Sequence, residues 1–132
     1  MGLLDYRFIS ECEEDHAAET LFQSISACAL VQPKPTINSI TPNPPKLNQA
    51  LVIDVSGCHS AFEEHGVQVS SYKAKVVDPN GNISLYNGQF DSTTNSYKIS
   101  FTPTIEGEYK VFIFAEDSLG NRSPVNSITF TV

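Results

Sequence analysis

The chain contains no tryptophan, one methionine, three cysteines and only eight Lys and Arg side chains in 132 residues. Each scarcity excludes something. Neutralising nucleic-acid phosphates needs cations clustered on one face, and no run of Lys or Arg occurs, so nucleic acid is not an expected partner. Faces that bind sugars usually present planar rings, and with no Trp that role would fall to Tyr72, Tyr86 and Tyr97, which sit better as strand residues. Cys12, Cys28 and Cys58 cannot all pair within one chain, so free thiols are expected. No uncharged apolar run approaches the roughly 20 residues that span a bilayer. MGLLDYRFI has neither the basic start nor the long apolar middle of a signal peptide, and Tyr6 stands where a myristoylation signal needs Ser or Thr. Synthesis in the cytoplasm is the resulting expectation.

What charge there is lies unevenly. Residues 1–31 hold six acids and one base, a net of −5; residues 32–132 hold nine acids and seven bases, a net of −2, which together make the formal −7. Ser10-Glu11-Cys12-Glu13 fits a helix-starting box in which hydroxyl and carboxylate satisfy free backbone N–H groups. Beyond it, Ala18, Leu21, Phe22, Ile25, Cys28 and Ala29 recur at spacings of three and four, with Glu13, Glu14, Asp15 and Glu19 near the dipole's positive end. The pattern predicts an amphipathic helix over 11–29, roughly 28 Å long. Residues 1–31 are therefore read as a helical docking arm. Its contacts with a protein partner are assigned to Leu3, Leu4, Tyr6, Phe8, Ile9, Leu21, Phe22 and Ile25, the acids facing a basic patch on the partner.

Five of the eight prolines lie between positions 33 and 45. Proline sets φ and disfavours helix in the residue before it, so 32–45 reads as a stiff hinge merging into a first strand. From 36 to 132 alternating stretches are punctuated by turn residues, the signature of an antiparallel sandwich or barrel. Strands are predicted at 36–41, 50–56, 70–77, 83–86, 96–102, 108–116 and 126–132, with Asp78-Pro79-Asn80-Gly81 and Leu119-Gly120-Asn121 as turns.

One strand breaks the alternation. EGEYKVFIFAED runs Val111, Phe112, Ile113, Phe114, Ala115 without a polar residue. With Tyr109 inward, a period of two puts Val111, Ile113 and Ala115 in the core and Phe112 and Phe114 on the outer face, beside Val77 of the neighbouring strand. Exposed phenyl rings forfeit several kcal/mol and make a sticky patch, so a cover is expected. The loop GCHSAFEEHGVQVSS, with Phe62 and Val67, or the arm folding back would cover it within the chain; a second protein chain is the other reading, as is a register error.

The order TPTIEGEYKVFIFAEDSLGN, with Gly107 two residues before a Tyr that opens a strand ending in Ala-x-Asp-x-x-Gly-Asn, resembles bacterial and phage immunoglobulin-like or fibronectin-III-like modules. The resemblance covers about residues 36–132. It implies a mainly β, seven-stranded antiparallel immunoglobulin-like sandwich following the N-terminal helical arm, closed by a corner hydrogen bond from Tyr109. Val111 occupies the usual second cysteine position, so the antibody-type disulfide is absent.

The residues that carry chemistry form weak constellations. Cys58, His59, Glu63, Glu64 and His65 share a loop but lack zinc-ligand spacing and a third group to orient a Cys–His pair; Cys12 and His16 have no matching second pair. Asp78, Asn80, Asn82, Asp117 and Asn121 offer oxygens without calcium-loop spacing. The expectation is no enzyme, no cofactor and no metal. As a whole the layout resembles small capsid-decoration proteins of tailed bacteriophages, which implies a non-enzymatic virion surface protein made in the host cytoplasm. It would be anchored by the arm to a capsid or other virion subunit, as single copies or a homo-oligomer on the shell. The alternatives are a module of a bacterial cell-surface or secreted protein, adhesive in function, and a carbohydrate-binding accessory module.

Overall fold

The computed structural model describes residues 29–132. Ten strands run β1 (Val31–Gln32), β2 (Thr36–Thr41), β3 (Leu51–Ser56), β4 (His59–Ser60), β5 (Val69–Val77), β6 (Ile83–Asn87), β7 (Gln89–Asp91), β8 (Ser96–Phe101), β9 (Glu108–Asp117) and β10 (Asn126–Thr131), with one 3-10 turn at Glu63–His65. They make a β-sandwich of two four-stranded antiparallel sheets, ordered β10-β9-β5-β6 and β2-β3-β8-β7, plus a two-stranded β1-β4 ribbon. The predicted helix over 11–29, the eight arm residues from Leu3 to Ile25, and Cys12, His16 and Cys28 lie outside the described residues.

The expected count of seven strands is corrected to ten among the described residues. All seven predicted strands are present with ends shifted by a residue or so; the three extra ones are only two or three residues long. Such lengths hold too few side chains to show a period of two. All three have a topological role. β1 pairs with β4 through Val31↔Ser60, which binds the start of the sandwich to the loop after β3. β7 continues the line of β6 but belongs to the other sheet, so the chain changes layers at Gly88. A Cβ on Gly88 would lie 3.1 Å from the Tyr72 carbonyl oxygen and 3.3 Å from Tyr97 and Ile99, which is why the crossing uses a residue without one.

The core follows from alternation. Leu51, Ile53 and Val55 of β3 and Ile99 of β8 face Ala74 of β5 and Val111, Ile113 and Ala115 of β9, all fully buried. Tyr109, Val111, Ile113 and Ala115 alternate strictly with Lys110, Phe112, Phe114 and Glu116, so β9 has the predicted register. Toward one end Phe101 sits among Tyr86, Tyr109 and Phe130, at ring-centre distances of 5.2, 6.3 and 6.3 Å. The Tyr109 hydroxyl closes this corner, donating to the Ile105 carbonyl at 2.8 Å and accepting from the Ile105 N–H at 3.1 Å.

Gly107 ties the final residue in, exchanging two backbone bonds of 2.9 Å with Val132. Its φ is +130°, and a Cβ there would meet Pro79 Cβ at 2.8 Å. Gly107→Ala therefore combines strained backbone with a steric clash against a rigid ring. It should cost about 2–3 kcal/mol in urea unfolding; a loss below about 0.5 kcal/mol would show that the turn reshapes freely.

Two turns solve one problem twice. Asp78-Pro-Asn-Gly-Asn82 joins β5 to β6, and Asp117-Ser-Leu-Gly-Asn121 follows β9, at opposite ends of antiparallel neighbours. In each, aspartate Oδ1 accepts the backbone N–H groups two and four residues on, and Oδ2 accepts the Asn side-chain amide. Both glycines take positive φ, +86° and +88°. The repeated Asp-x-x-Gly-Asn spelling is thus a local folding instruction, the side chain standing in for missing backbone acceptors.

Candidate functional site

Two surfaces are candidates: the outer face of the β10-β9-β5-β6 sheet and a cleft at the end of the sandwich where β3 leaves.

On the sheet, Phe112 and Phe114 point outward and are half-buried. Arg122 covers Phe114, its guanidinium carbon 4.9 Å from the ring centre, and also bonds Glu116 at 3.0 Å. Lys73, opposite Phe114 on β5, reaches the same carboxylate at 3.3 Å. Glu116 is held below the usual carboxylate range by Arg122 first and Lys73 second, with partial burial opposing. Part of the expected cover is therefore a cation over the Phe114 ring. The loop carrying Phe62 lies elsewhere. Phe62 is buried, but Ser60 beside it binds Asp117 at 2.9 Å and Gln68 accepts from the Ser118 N–H, so the loop packs on the end of β9.

Register places further residues on the face. Ser127, Phe112, Lys75 and Leu85 form one cross-strand row; Thr129, Lys110, Val77 and Ile83 form the next. Ile83 and Leu85 are 60% and 62% exposed. Sequence reasoning named Val77, Phe112 and Phe114 but missed Ile83, Leu85 and Arg122. A signal existed for two of them: in Ile83-Ser-Leu-Tyr-Asn87, Tyr86 occupies the phase opposite to Ile83 and Leu85, so one apolar set had to face outward.

The end cleft encloses about 390 Å³ and is lined by Tyr72, Phe90, Tyr97, His59, Glu63 and Asn95, among others. Tyr97 is central, its ring 4.7 Å from Tyr72 and 5.2 Å from Phe90. Phe90, 55% exposed on the short strand β7, was not identifiable from the sequence, because β7 was not.

The cysteine and histidine that share the loop both line this cleft but bond different partners. Cys58 is buried and its thiol donates to the Pro33 carbonyl at 3.0 Å, while its N–H donates to the Tyr72 hydroxyl at 2.8 Å. Burial pushes the thiol up from its ordinary value, away from the thiolate that a nucleophile needs. Tyr72 is likewise pushed up by burial. His59 points to solvent and bonds Glu63 at 2.9 Å; Glu64 and His65 are exposed. The geometry builds no Cys–His pair. Iodoacetamide should accordingly alkylate Cys58 in urea and leave it unmodified in buffer over the same hours, read by peptide mass; fast native labelling would contradict the burial.

The carboxylate chemistry is likewise structural. Asp117 is buried and accepts four hydrogen bonds, from Ser60, Leu119 and twice from Asn121. Burial alone would raise it; these donors outweigh burial and leave it below the ordinary value. Asp54, on the outer face of β3, is lowered in the same way: burial opposes, and contacts from Lys98 and Asn38 prevail. Among the described residues no three His, Cys, Asp or Glu side chains converge into a metal-binding group.

No protein-family model matches the chain, and no curated protein matches it. Among solved structures it is similar to the crystal structure of CopC from Methylosinus trichosporium OB3b, at 13% identity and a TM-score of 0.45, over 74% of this chain and 92% of that one.

Proposed function

We propose that the chain is a non-enzymatic structural and binding protein, of the kind that decorates the shell of a tailed bacteriophage: an immunoglobulin-like sandwich anchored to a virion subunit through residues 1–31. The supporting observation is that the sandwich core is continuous from Val31 onward. The leading segment joins it at a clamped point, where Leu30 accepts a 2.7 Å bond from the Ala61 N–H. An acidic, apolar-striped segment fixed to the end of a finished β body has the form of a handle, its apolar stripe supplying contact area and its acids the orientation toward a basic partner. Synthesis in the host cytoplasm and display on the virion after assembly belong to this reading. Adding purified protein to undecorated phage heads should give saturable binding, abolished by deleting residues 1–28. Binding that never saturates, or that survives the deletion, refutes the anchor.

A second reading, a module of a bacterial surface protein that binds glycans, draws on the end cleft. There an exposed ring, Phe90, packs on Tyr97 beside His59, Glu63 and Asn95, the combination of apolar plane and polar rim that sugars favour. Glycan-array binding lost on Phe90→Ala would select it.

A further inference from the structure

We propose that the free edge of β6 is a self-association edge: two copies of this chain pair antiparallel through Ile83–Asn87 and join their β10-β9-β5-β6 sheets into one continuous sheet.

The edges of the two four-stranded sheets are not equivalent. β2 is broken by a bulge between Ile37 and Ser39 and stands between Pro35 and Pro42, devices that ordinarily blunt an edge. β7 is only three residues long. β10 is unbroken, but its outward side chains are Ser127, Thr129 and Thr131, and Ile128 and Phe130 turn to the core. β6 has none of these protections, since no proline, charge or bulge falls between Ile83 and Asn87. Among the described residues, every large apolar side chain that is exposed within a strand, namely Ile83, Leu85 and Phe90, lies on the continuous segment β6–β7. A strand edge of this composition templates pairing with another strand.

The backbone is poised for that pairing. The Asp78 N–H donates to the Asn82 carbonyl at 2.9 Å and the Gly88 N–H to the Tyr72 carbonyl at 2.7 Å. Bonding alternates along an antiparallel pair, so Ser84 and Tyr86 bond to β5, and the N–H and C=O groups of Ile83, Leu85 and Asn87 point to the open edge. A twofold pair centred on Leu85 satisfies them with about six hydrogen bonds. Leu85 then faces Leu85 of the second copy, and Ile83 faces its Asn87.

Charge and side-chain pattern select a second copy as the occupant. An incoming strand must set an apolar side chain against Leu85 and bring no cation beside Lys73 and Lys75, which stand next to the edge on β5. β6 itself does both. Along the central row the order becomes Lys75, Leu85, then Leu85 and Lys75 of the second copy. The two lysine positions are three strand spacings apart, about 14 Å, beyond the screening length of about 8 Å at physiological salt. Lys73 is already bound to Glu116. Glu108 and Lys110 lie a further strand away on β9. The acids at the ends of the segment, Asp78 and Asp91, accept hydrogen bonds within their own turns. With nine acids against seven bases in residues 32–132, the two sandwiches repel weakly. On the inner side Ser84 meets Tyr86, whose ring is held 5.2 Å from Phe101. Five residues make an edge about 17 Å long, a small interface that associates at micromolar concentrations. The pairing goes beyond the anchoring reading and does not depend on it.

Sedimentation of the full chain between about 5 and about 500 µM should show a monomer–dimer equilibrium. Leu85→Lys sets two ammonium groups face to face at the centre of the pair; it should abolish the dimer while the sandwich melts as before, because Leu85 is exposed. Under oxidised glutathione, Leu85→Cys should give a disulfide joining the introduced thiols of two chains, read by peptide mass. Its yield should be at least about tenfold above that of Ile83→Cys, whose two copies lie about 13 Å apart in this register. A chain that stays monomeric throughout, a dimer that survives Leu85→Lys, or equal crosslinking from positions 83 and 85 each overturns the pairing.

Discussion

Ile113→Ala should lower the stability of the sandwich by about 3–4 kcal/mol, enough to reduce Tm by roughly 10–20 °C in a domain of this size. Ile113 is fully buried on β9, between Ala74 of β5 and Asn126 of β10 in the sheet, and its side chain enters the layer filled by the β3 and β8 residues. Removing three carbons there loses their transfer free energy and leaves a cavity that two paired sheets cannot collapse. Its neighbour supplies the internal control. Phe112→Ala removes a larger side chain from the outer face of the same strand, where it is already half in water, and should cost less than about 1.5 kcal/mol. Urea midpoints of the two variants measure the contrast directly. Equal losses would mean that β9 is covered on both faces as deeply as a central parallel strand.

Asp117→Ala should cost a similar amount, about 3 kcal/mol, for a different reason. The carboxylate accepts four bonds, and one donor, Ser60, is itself buried and comes from a loop 57 positions earlier. Deletion strands the buried Ser60 hydroxyl and removes the acceptor that pins the backbone N–H groups of Leu119 and Asn121 in the turn. Asp117→Asn keeps an acceptor oxygen and should lose about half as much. The charge also sets a pH dependence. Asp117, Asp54 and Glu116 all titrate below their ordinary values in the folded protein. As pH falls the unfolded chain therefore takes up protons first. The stabilisation is fully present above the unfolded-state values, from about pH 5 upward, and is lost as pH drops from about 4 toward the folded values. Thermal melts should be level between pH 5 and 7 and fall steeply below about 4. In Asp117→Asn the acid limb should be shallower, because one of the three contributors no longer titrates. An unchanged acid limb would remove Asp117 from the set.

How much of this was legible in the sequence varied by element. The long strands could be read from alternation alone. Leu51, Ile53 and Val55 and the Tyr109 to Ala115 series each state their own inner face, and a single residue of slippage would turn every one of them to solvent. The two Asp-x-x-Gly-Asn turns were equally readable, because their hydrogen bonds close within five residues. The β1, β4 and β7 strands were not, because two or three residues become strand only through what lies beside them. With β7 missing, Phe90 could not be placed and the end cleft could not be anticipated. The outer face was read in part: β9 gave Phe112 and Phe114, whereas Ile83 and Leu85 join them only through cross-strand register, and Arg122 through a chain reversal that folds it over Phe114.

The sequence by itself determined the layers: which residues face inward, where the chain reverses, and that charge is divided between an acidic leader and a nearly neutral body. These follow from local rules, the period of the pleat and the bonding of short side chains to nearby backbone. Only the tertiary structure decided that Cys58 and His59 bond different partners, that Asp117 is clamped by a distant serine, that the chain changes sheets at Gly88, and that four cations share one face with Ile83 and Leu85. Each depends on pairing between segments tens of residues apart, whose register is set by the whole packed core and is written in no single stretch of the chain.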